Sequence, residues 1–143
     1  MPLPVHIKRL RADIPLPEYK TPGAAAFDIT IPDAHTLQPG ERALLPTGLV
    51  VCVPEGHALI LASRSSNAKK GITLANGIGI IDQDYCGPAD ELKIALVNLS
   101  SAAYTVEKGE RVAQGMFVPV TKALFQEVET LKAPSRGGFG TTG

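Results

Sequence analysis

Residues 42–62 read RALLPTGLVVCVPEGHALILA, and this stretch decides the class of fold that the sequence predicts. Two runs rich in Val, Leu and Ile, Arg42–Val53 and Ala58–Ala62, flank Pro54-Glu55-Gly56. Pro and Gly are the residues that most often mark a turn. Neither run shows the 3.6-residue apolar period of an amphipathic helix. The stretch therefore predicts β-strands joined by a tight turn.

The same pattern continues in both directions. The chain has 14 Gly and 12 Pro among 143 residues, spread along its length, with short apolar runs between them. Further candidate strands are Val5–Leu10, Phe27–Ile31, Ile72–Leu74, Glu91–Asn98, Tyr104–Glu107 and Arg111–Val118. Only Ser65–Lys70 suits a helix, and it is barely a turn and a half. Many short strands at this spacing predict one all-β domain, a sandwich or a barrel.

Composition excludes several classes of function. Lys plus Arg and Asp plus Glu both number 14, so the formal charge is zero, without the basic excess typical of nucleic-acid binders. Cys52 and Cys86 are too few for a disulfide framework, and we expect thiols in a reducing compartment. The amino terminus lacks a signal-peptide pattern, and no apolar run approaches a membrane span. We expect a cytoplasmic protein with neither a membrane nor a nucleic-acid partner.

Two segments have residue types that suit a nucleotide site. Arg64-Ser65-Ser66 follows a strand and opens the short helix, where backbone N–H groups, hydroxyls and a guanidinium favour phosphate. Ser65 is alternatively a simple N-cap. Asn76–Tyr85 reads as a hairpin, since Asn-Gly favours a tight turn. Its apolar run ends in Asp82, its backbone suits the edge of a base, and Tyr85 suits a sugar. The alternative is an ordinary hairpin with a packing tyrosine.

Two more observations concern the end of the sequence. In Arg111–Val118, strand alternation places Gln114 on the same face as Val112 and Met116, where its amide must find a partner. From Thr121 onward the chain has few core residues, and its last part is rich in Gly, Ser and Thr around Phe139. We therefore divide the chain into a β-domain, 1–120, and a C-terminal segment, 121–143, which composition alone predicts to be a frayed terminus.

The sequence resembles the trimeric dUTPase family over nearly its whole length. Five segments match the five motifs of that family in order: Thr21–Asp28, Ser63–Gly71, Asn76–Gly87, Lys108–Gln114 and Arg136–Gly143. The resemblance implies a jelly-roll-like β-barrel, or β-clip, assembled as a homotrimer with three sites at subunit interfaces and a flexible C-terminal arm. It also implies hydrolysis of dUTP to dUMP and pyrophosphate with Mg²⁺ as cofactor.

The resemblance also implies roles for individual residues. Asp82 is the catalytic residue, which orients or deprotonates the attacking water. Asp28 contacts a water on Mg²⁺, which is held mainly by substrate phosphates. The residues implied to bind substrate are Arg64, Ser65, Ser66, Asn76, Gly79, Ile80, Ile81, Tyr85, Lys93, Gln114, Arg136, Phe139 and Gly140. In this scheme Phe139 stacks on the uracil.

Some positions depart from the family pattern. Ser66 stands where the family usually has Gly, and Arg-Ser-Ser is typical of dCTP deaminases of the same fold. Those deaminases need a glutamate at the position of Ala95, which weighs against a deaminase or a bifunctional deaminase and dUTPase. The segment Pro88–Glu91 is longer than the usual turn after the third motif. A third alternative is a trimer that binds nucleotide without catalysis.

Overall fold

The computed structural model describes residues 1–141 and confirms an all-β architecture. The strands are β1 (His6–Arg9), β2 (Phe27–Thr30), β3 (His35–Leu37), β4 (Arg42–Pro46), β5 (Leu49–Cys52), β6 (His57–Ser63), β7 (Ile72–Leu74), β8 (Gly79–Ile81), β9 (Lys93–Asn98), β10 (Tyr104–Val106) and β11 (Arg111–Pro119). The single helix within residues 1–141, α1, spans Asn67–Lys70. None of the described residues forms a helix long and apolar enough to cross a membrane.

The strands form four antiparallel sheets around one core. The largest has the order β2-β11-β6-β8, and the others are β4-β9-β7, β1-β5 and β10-β3. Strand β11 holds the largest sheet together, because it pairs with β2 along one edge and with β6 along the other. Side chains from several sheets, including Ile29, Leu59, Leu96 and Val112, meet in the same apolar cluster. The jelly-roll-like barrel is thus closed by packing across sheets.

The predicted strand Arg42–Val53 is wrong as one element, since it is broken at Thr47–Gly48. Gly48 has φ +73°, and a Cβ at this position would overlap the side chain of Ile14. The buried Thr47 hydroxyl donates to the Leu92 carbonyl oxygen at 2.6 Å, which holds the chain in the break. The two halves then enter different sheets, because β4 pairs with β9 and β5 pairs with β1.

The sequence pattern does not predict strand β3. It has only three residues, His35–Leu37, and it lies beside β10. Its register is reinforced by a hydrogen bond of 2.8 Å between the hydroxyls of Thr36 and Thr105. A strand this short has no alternating pattern of its own, because its pairing depends on a partner about 70 residues away.

The expectation of two free thiols is also wrong. Cys52 and Cys86 form a disulfide, with their Cα atoms 5.0 Å apart. The two residues are 34 positions apart in sequence, and nothing in the local pattern indicates that the loop after Tyr85 returns to β5. The bond fastens the loop that contains Cys86 to a strand with three buried residues, Leu49–Val51.

The part of the chain after β11 differs from the barrel. Strand β11 ends at Pro119, and the Val120 amide donates to the Gly56 carbonyl oxygen at 2.8 Å. Residues 121–137 are all exposed and belong to no strand. The predicted arm, 121–143, begins where these contacts end, and its last two residues, Thr142 and Gly143, lie outside the described residues.

Candidate active site

Three predicted residues meet on the largest sheet. Gln114 on β11 lies opposite Asp28 on β2, and on its other side it lies opposite Ala62 on β6. Two residues beyond Ala62, at the end of β6, the chain reaches Arg64. Antiparallel pairing thus brings together the predicted phosphate and metal residues, which come from positions 28, 64 and 114 of the chain.

The carboxylate of Asp28 is held between two guanidinium groups. Its Oδ1 lies 2.9 Å from Arg64 Nε, and its Oδ2 lies 3.1 Å from Arg111 Nη1. The side chains of Asp28 and Arg64 are only 15% and 22% exposed, so solvent screens this pair less than a surface ion pair. Arg64 also donates to the Arg111 carbonyl oxygen at 3.1 Å. We call Asp28, Arg64, Arg111 and Gln114 the Asp28 cluster.

The two serines of the second motif lie beside this cluster. Arg64 Nη1 donates to Ser66 Oγ at 3.3 Å, and Ser65 is exposed. The N-cap position of α1 belongs to Ser66, which makes no side-chain cap bond, so the reading of Ser65 as a simple N-cap is wrong. Both hydroxyls belong to residues that directly follow Arg64, and they remain suited to accept from or donate to a phosphate.

Gln114 and a residue that the sequence did not single out fix the chain before Arg64. Gln114 Nε2 donates to the Ser63 carbonyl oxygen at 3.0 Å. The buried Asn67 donates from Nδ2 to Ser63 Oγ at 3.0 Å and to the Val112 carbonyl oxygen at 2.8 Å. The expectation that the Gln114 amide finds a partner is confirmed. Asn67 was missed because a polar residue in a short exposed-looking segment gives no sign that it is buried.

Arg111 was also missed, although it opens a predicted strand within the fourth motif. It is 46% exposed and reaches Asp28 across the sheet, from a position beside a register shift in the pairing of β11 with β2. An arginine at the start of a strand is usually a solvated residue, so only the pairing of β2 with β11 identifies its partner.

The segment Asn76–Tyr85 is not the hairpin that the sequence predicts. Its only strand is β8, which pairs with β6 through Gly79↔Leu61, Ile80↔Ile60 and Ile81↔Leu59. The turn at Asn76-Gly77 is present, with Gly77 at φ +74°, but it connects β7 in one sheet with β8 in another. Strand β8 is an edge strand, so the backbone groups on its outer side have no strand partner in the described chain.

Asp82 and Tyr85 follow β8 on the surface. Asp82 is exposed, and its carbonyl oxygen accepts a bond from the Tyr85 amide at 3.3 Å. Tyr85 is 39% exposed, and its hydroxyl donates to the Glu91 carbonyl oxygen at 2.9 Å. Within residues 1–141 the Asp82 carboxylate makes no hydrogen bond or ion pair. The predicted catalytic group is therefore free to bind water or substrate.

The length of β6 separates Asp82 from the Asp28 cluster. Ile81 pairs with Leu59 near the start of β6, and the side-chain amide of Gln83 donates to the His57 carbonyl oxygen at 3.4 Å. Arg64 follows Ser63 at the opposite end of the same strand. At about 3.3 Å per residue along a strand, Asp82 and Arg64 lie about 20 Å apart. One chain does not bring the predicted catalytic residue to the predicted phosphate residues.

Within residues 1–141, neither Lys93 nor the arm makes a side-chain hydrogen bond or ion pair with either group. Lys93 is exposed at the start of β9, opposite Pro46, in the sheet β4-β9-β7. At the tip of the arm, Thr141 Oγ1 accepts from the Gly138 amide at 2.7 Å and closes a tight turn. Phe139 within this turn has φ +51°, and its ring is fully exposed. Arg136 and Gly140 beside it are exposed as well.

Two cavities of the chain contain few of the predicted site residues. The cavity beside Asp28 and Arg111 has a volume of 70 Å³, whereas pockets for small-molecule ligands usually measure about 300–1,000 Å³. A larger cavity of 620 Å³ is lined by apolar side chains such as Val5, Phe27 and Phe117, and it includes none of the predicted site residues. Neither of these two cavities combines Asp82 with the Asp28 cluster.

The contacts that Asp28 already makes limit how it can interact with a metal ion. Residues 1–141 contain no group of three or more His, Cys, Asp or Glu residues placed to bind one ion. Asp28 Oδ2 accepts a hydrogen bond from Arg111, and Oδ1 forms an ion pair with Arg64. A carboxylate oxygen has a second lone pair, so Asp28 fits a water in the outer shell of a hydrated Mg²⁺.

The chain matches the model of the dUTPase family over residues 12–143. It is 44% identical to the deoxyuridine 5'-triphosphate nucleotidohydrolase of Methylocella silvestris, and the match covers 99% of this chain and 92% of that protein. It is 43% identical to the protein of the same name from Hydrogenobaculum sp., with 96% of each chain covered.

Solved structures give the same result. The dUTPase of Staphylococcus bacteriophage 80α with dUPNHPP is similar with a TM-score of 0.86 at 27% identity, covering 98% of each chain. The dUTPase of Streptococcus mutans is similar with a TM-score of 0.76 at 32% identity, covering 83% of this chain and 98% of that one. Since the family model and close relatives extend over nearly the whole sequence, this chain belongs to the dUTPase family.

Proposed function

We infer that this protein hydrolyses dUTP to dUMP and pyrophosphate, by breaking the anhydride bond between the α- and β-phosphates. The conclusion rests on membership of the dUTPase family together with one observation in the chain. This observation is that the exposed carboxylate of Asp82 directly follows an edge strand whose outer backbone groups are unpaired.

In the proposed reaction Asp82 orients a water molecule, or removes its proton, for attack on the α-phosphorus. Negative charge spreads over the phosphate oxygens as the bond to pyrophosphate breaks, so donors must surround them. Arg64, Ser65, Ser66 and Gln114 supply such donors in this proposal. The 2.9 Å pair with Asp28 holds the Arg64 guanidinium in place before substrate binds, which reduces the cost of reorganisation.

The uracil binds along β8 in this proposal. Asn76 and the backbone of Gly79–Ile81 read the edge of the base, and Tyr85 packs on the deoxyribose. The support is that β8 lies at the edge of its sheet, so N–H and C=O groups on its outer side can form a pattern of bonds with uracil. Lys93 is proposed to lie near the substrate.

Mg²⁺ is the proposed cofactor, and the substrate phosphates are its main ligands. Mg²⁺ keeps several of its waters and commonly takes phosphate oxygens, so a cage of protein ligands is not required. The ion supplies charge neutralisation for the phosphates when it is bound. Asp28 would accept a hydrogen bond from one of the metal's waters, as its free lone pairs allow.

We propose that each site is shared between copies of the chain in a homotrimer. The support is the separation of about 20 Å between Asp82 and Arg64, set by the rise per residue along β6. A symmetric oligomer removes this separation by placing Asp82 of one copy against the Asp28 cluster of another. The exposed apolar residues Leu44 and Leu99, at 66% and 70% exposure, are suited to be covered by such contacts.

The arm would complete the site. We propose the division into a barrel, 1–120, and an arm, 121–143, that reaches a neighbouring copy. The residues from Thr121 to Phe139 span at most about 60 Å when extended. Phe139 would stack on the bound uracil, Arg136 would meet the γ-phosphate and Gly140 would contact the substrate. An arm that closes on nucleotide acts as a lid that excludes water. The cytoplasmic location stays a prediction.

Pyrophosphate release from dUTP, UTP and the four common dNTPs, each with Mg²⁺, tests the activity. We expect rapid release from dUTP alone. Ammonia from dCTP would instead indicate the deaminase of the same fold, and Ala95 at the position of the deaminase glutamate argues against it. Binding of dUTP without turnover would favour the non-catalytic trimer. Chelation with EDTA is expected to abolish dUTP turnover, and added Mg²⁺ to restore it.

A mixing experiment tests whether sites are shared. Asp82→Asn and Arg64→Ala chains are co-expressed with different tags, and mixed trimers are purified. If Asp82 and Arg64 of one site come from different copies, each mixed trimer has one site of its three with both residues intact, so about a third of wild-type activity returns. Mixing Arg64→Ala with Gln114→Ala, which affect the same cluster, should restore nothing. Equal results from the two mixtures would contradict the shared site.

A further inference from the structure

The loop that holds Tyr85 has no apolar anchor of its own. We call residues 82–91 the Tyr85 loop. None of these residues is buried, whereas Leu92 at its end is only 2% exposed. A surface loop without buried apolar contacts is expected to open at low cost in free energy. The position of the Tyr85 ring therefore depends on a few specific bonds.

Two of those attachments are to β5 and to Gly48, the residue that precedes it. Cys86 is joined to Cys52 at the end of β5. At the other end of the loop, Glu91 Oε1 accepts from the Gly48 amide at 2.8 Å, and the Leu92 amide donates to the Leu49 carbonyl oxygen at 2.7 Å. These two attachments hold the loop beside β5, whose residues Leu49–Val51 are buried, and the Gln83 side-chain amide attaches the start of the loop to the His57 carbonyl oxygen on β6.

Tyr85 lies between these two attachments. Its backbone directly precedes Cys86, and its hydroxyl donates to the Glu91 carbonyl oxygen at 2.9 Å. The turn between them is closed by Asp90 Oδ2, which accepts from the Gly87 amide at 2.6 Å. One end of the tyrosine is thus held through the disulfide, and the other end is held through Glu91.

We propose that the Cys52–Cys86 disulfide and the side chain of Glu91 position Tyr85, and thereby set how strictly the enzyme excludes a ribose. The inference rests on the proposed function, in which Tyr85 packs on the sugar. A ring fixed against C2′ leaves no room for a hydroxyl, and rejection by a steric clash requires that the ring cannot move away. When the disulfide or the Glu91 contact is removed, the Tyr85 ring can move away from the sugar, and UTP then binds and is hydrolysed.

The disulfide makes this discrimination sensitive to reduction. A dithiol reductant such as dithiothreitol transfers two electrons and two protons to the bond. Cys52 and Cys86 become thiols, and the reductant becomes a cyclic disulfide. The chain has two cysteines in total, so any change that requires reduction of a disulfide within the chain comes from this bond. The Glu91 attachment remains in the reduced protein, so a partial loss of strictness is expected.

The test compares kcat/KM for dUTP and UTP in oxidised and dithiothreitol-reduced protein, with thiol titration to establish each state. We expect kcat/KM for UTP to rise about tenfold on reduction, since small displacements of positioning groups change rates by large factors. The value for dUTP should change by less than about threefold, because the smaller sugar fits in both states.

Variants separate positioning from general stability. Cys52→Ser/Cys86→Ser should behave like the reduced protein and not respond to dithiothreitol. Glu91→Ala should raise the UTP to dUTP ratio, while Glu91→Gln, which keeps the oxygen that accepts from Gly48, should restore it. Tm is recorded for each variant, since a merely structural role would lower Tm without changing this ratio.

The outcomes distinguish the two proposals. A UTP to dUTP ratio that is the same in the oxidised, reduced and Glu91→Ala proteins would overturn the positioning role. Free thiols in fully oxidised protein would overturn it as well. Failure of the wild-type protein to hydrolyse dUTP would instead refute the proposed function, whatever the variants do.

Discussion

The Asp28 cluster and the Tyr85 loop differ in how far one chain satisfies their polar groups. In the cluster, Asp28 and Arg64 are mostly buried and form an ion pair at 2.9 Å, and Gln114 donates a hydrogen bond to the backbone before Arg64. In the loop, the Asp82 carboxylate is exposed and has no side-chain partner within residues 1–141. The residues proposed to bind phosphate are thus already fixed by contacts within one chain, whereas the carboxylate proposed to be catalytic is not.

The proposed reaction gives a reason for this difference between the Asp28 cluster and the Tyr85 loop. Donors for phosphate gain most from being fixed in advance, because electrostatic stabilisation is strongest where no reorganisation is needed. A carboxylate that positions water must instead remain accessible until the substrate and the second copy enclose it. Four substitutions test this comparison, and they are arranged from the largest expected effect to the smallest.

Asp82→Asn should have the largest effect. Loss of a carboxylate that positions or deprotonates water lowers kcat by about a thousandfold, within the usual range for general base catalysis. Asp84→Asn is the matched control, because Asp84 is exposed in the same loop and should retain near-wild-type kcat. Steady-state pyrophosphate release gives both values, and circular dichroism confirms folding. Similar kcat for the two variants would remove the assigned role of Asp82.

Arg64→Ala should have the next largest effect. The variant loses a phosphate donor and leaves the Asp28 carboxylate paired with Arg111 alone, so we expect kcat to fall about a hundredfold. Arg42→Ala is the control, since Arg42 is an exposed arginine on β4, outside the cluster. If the two alanine variants have the same kcat, the Asp28 cluster does not bind the reacting phosphates.

Phe139→Ala should have a smaller effect, confined to the arm. Stacking of an aromatic ring on a base contributes about 1–3 kcal/mol, so kcat/KM should fall about tenfold or somewhat more. Phe139→Tyr keeps the ring and should stay close to wild type. Unchanged kcat/KM in the alanine variant would show that the arm tip does not reach the base. Limited proteolysis gives an independent measure of whether the arm closes on the site. Bound dUPNHPP should protect residues 121–137 from cleavage.

Tyr104→Phe tests the rigidity of the barrel beside the Asp28 cluster. Burial, together with a hydrogen bond to Glu110, raises the pKa of Tyr104 to about 12 from an ordinary 10. Glu110 also lies 3.6 Å from Lys70 at the end of α1, so the tyrosine supports the helix that follows Arg64.

The sign of the effect follows from the raised pKa. Both states of the protein keep this phenol neutral below pH 10, and between pH 10 and 12 only the unfolded state ionises, so stability falls in that window. Wild type should therefore lose more Tm between pH 10 and 12 than Tyr104→Phe, by a few degrees at most for a half-buried group. Parallel Tm curves for the two proteins would contradict this account.

Sequence reasoning succeeded where residue types and their order sufficed. Gly and Pro between apolar runs indicated strands and turns, and the ordered motifs indicated the family. It failed where a contact far away in sequence was decisive. The Thr47–Gly48 break depends on Ile14 and Leu92, and the disulfide depends on a loop that returns to β5. The predicted hairpin at Asn76 failed because β8 pairs with β6 instead.

By itself the sequence determined the all-β class, the family and the set of residues proposed to act, because these follow from residue types and their order. Only the tertiary structure decided which strands pair, which cysteines meet and how far Asp82 lies from Arg64. The physical reason is that pairing is a choice among distant partners, made by burial and hydrogen bonding of the whole chain together. The same pairing places Asp82 and Arg64 at opposite ends of β6, and in the proposed homotrimer a second copy brings such residues together.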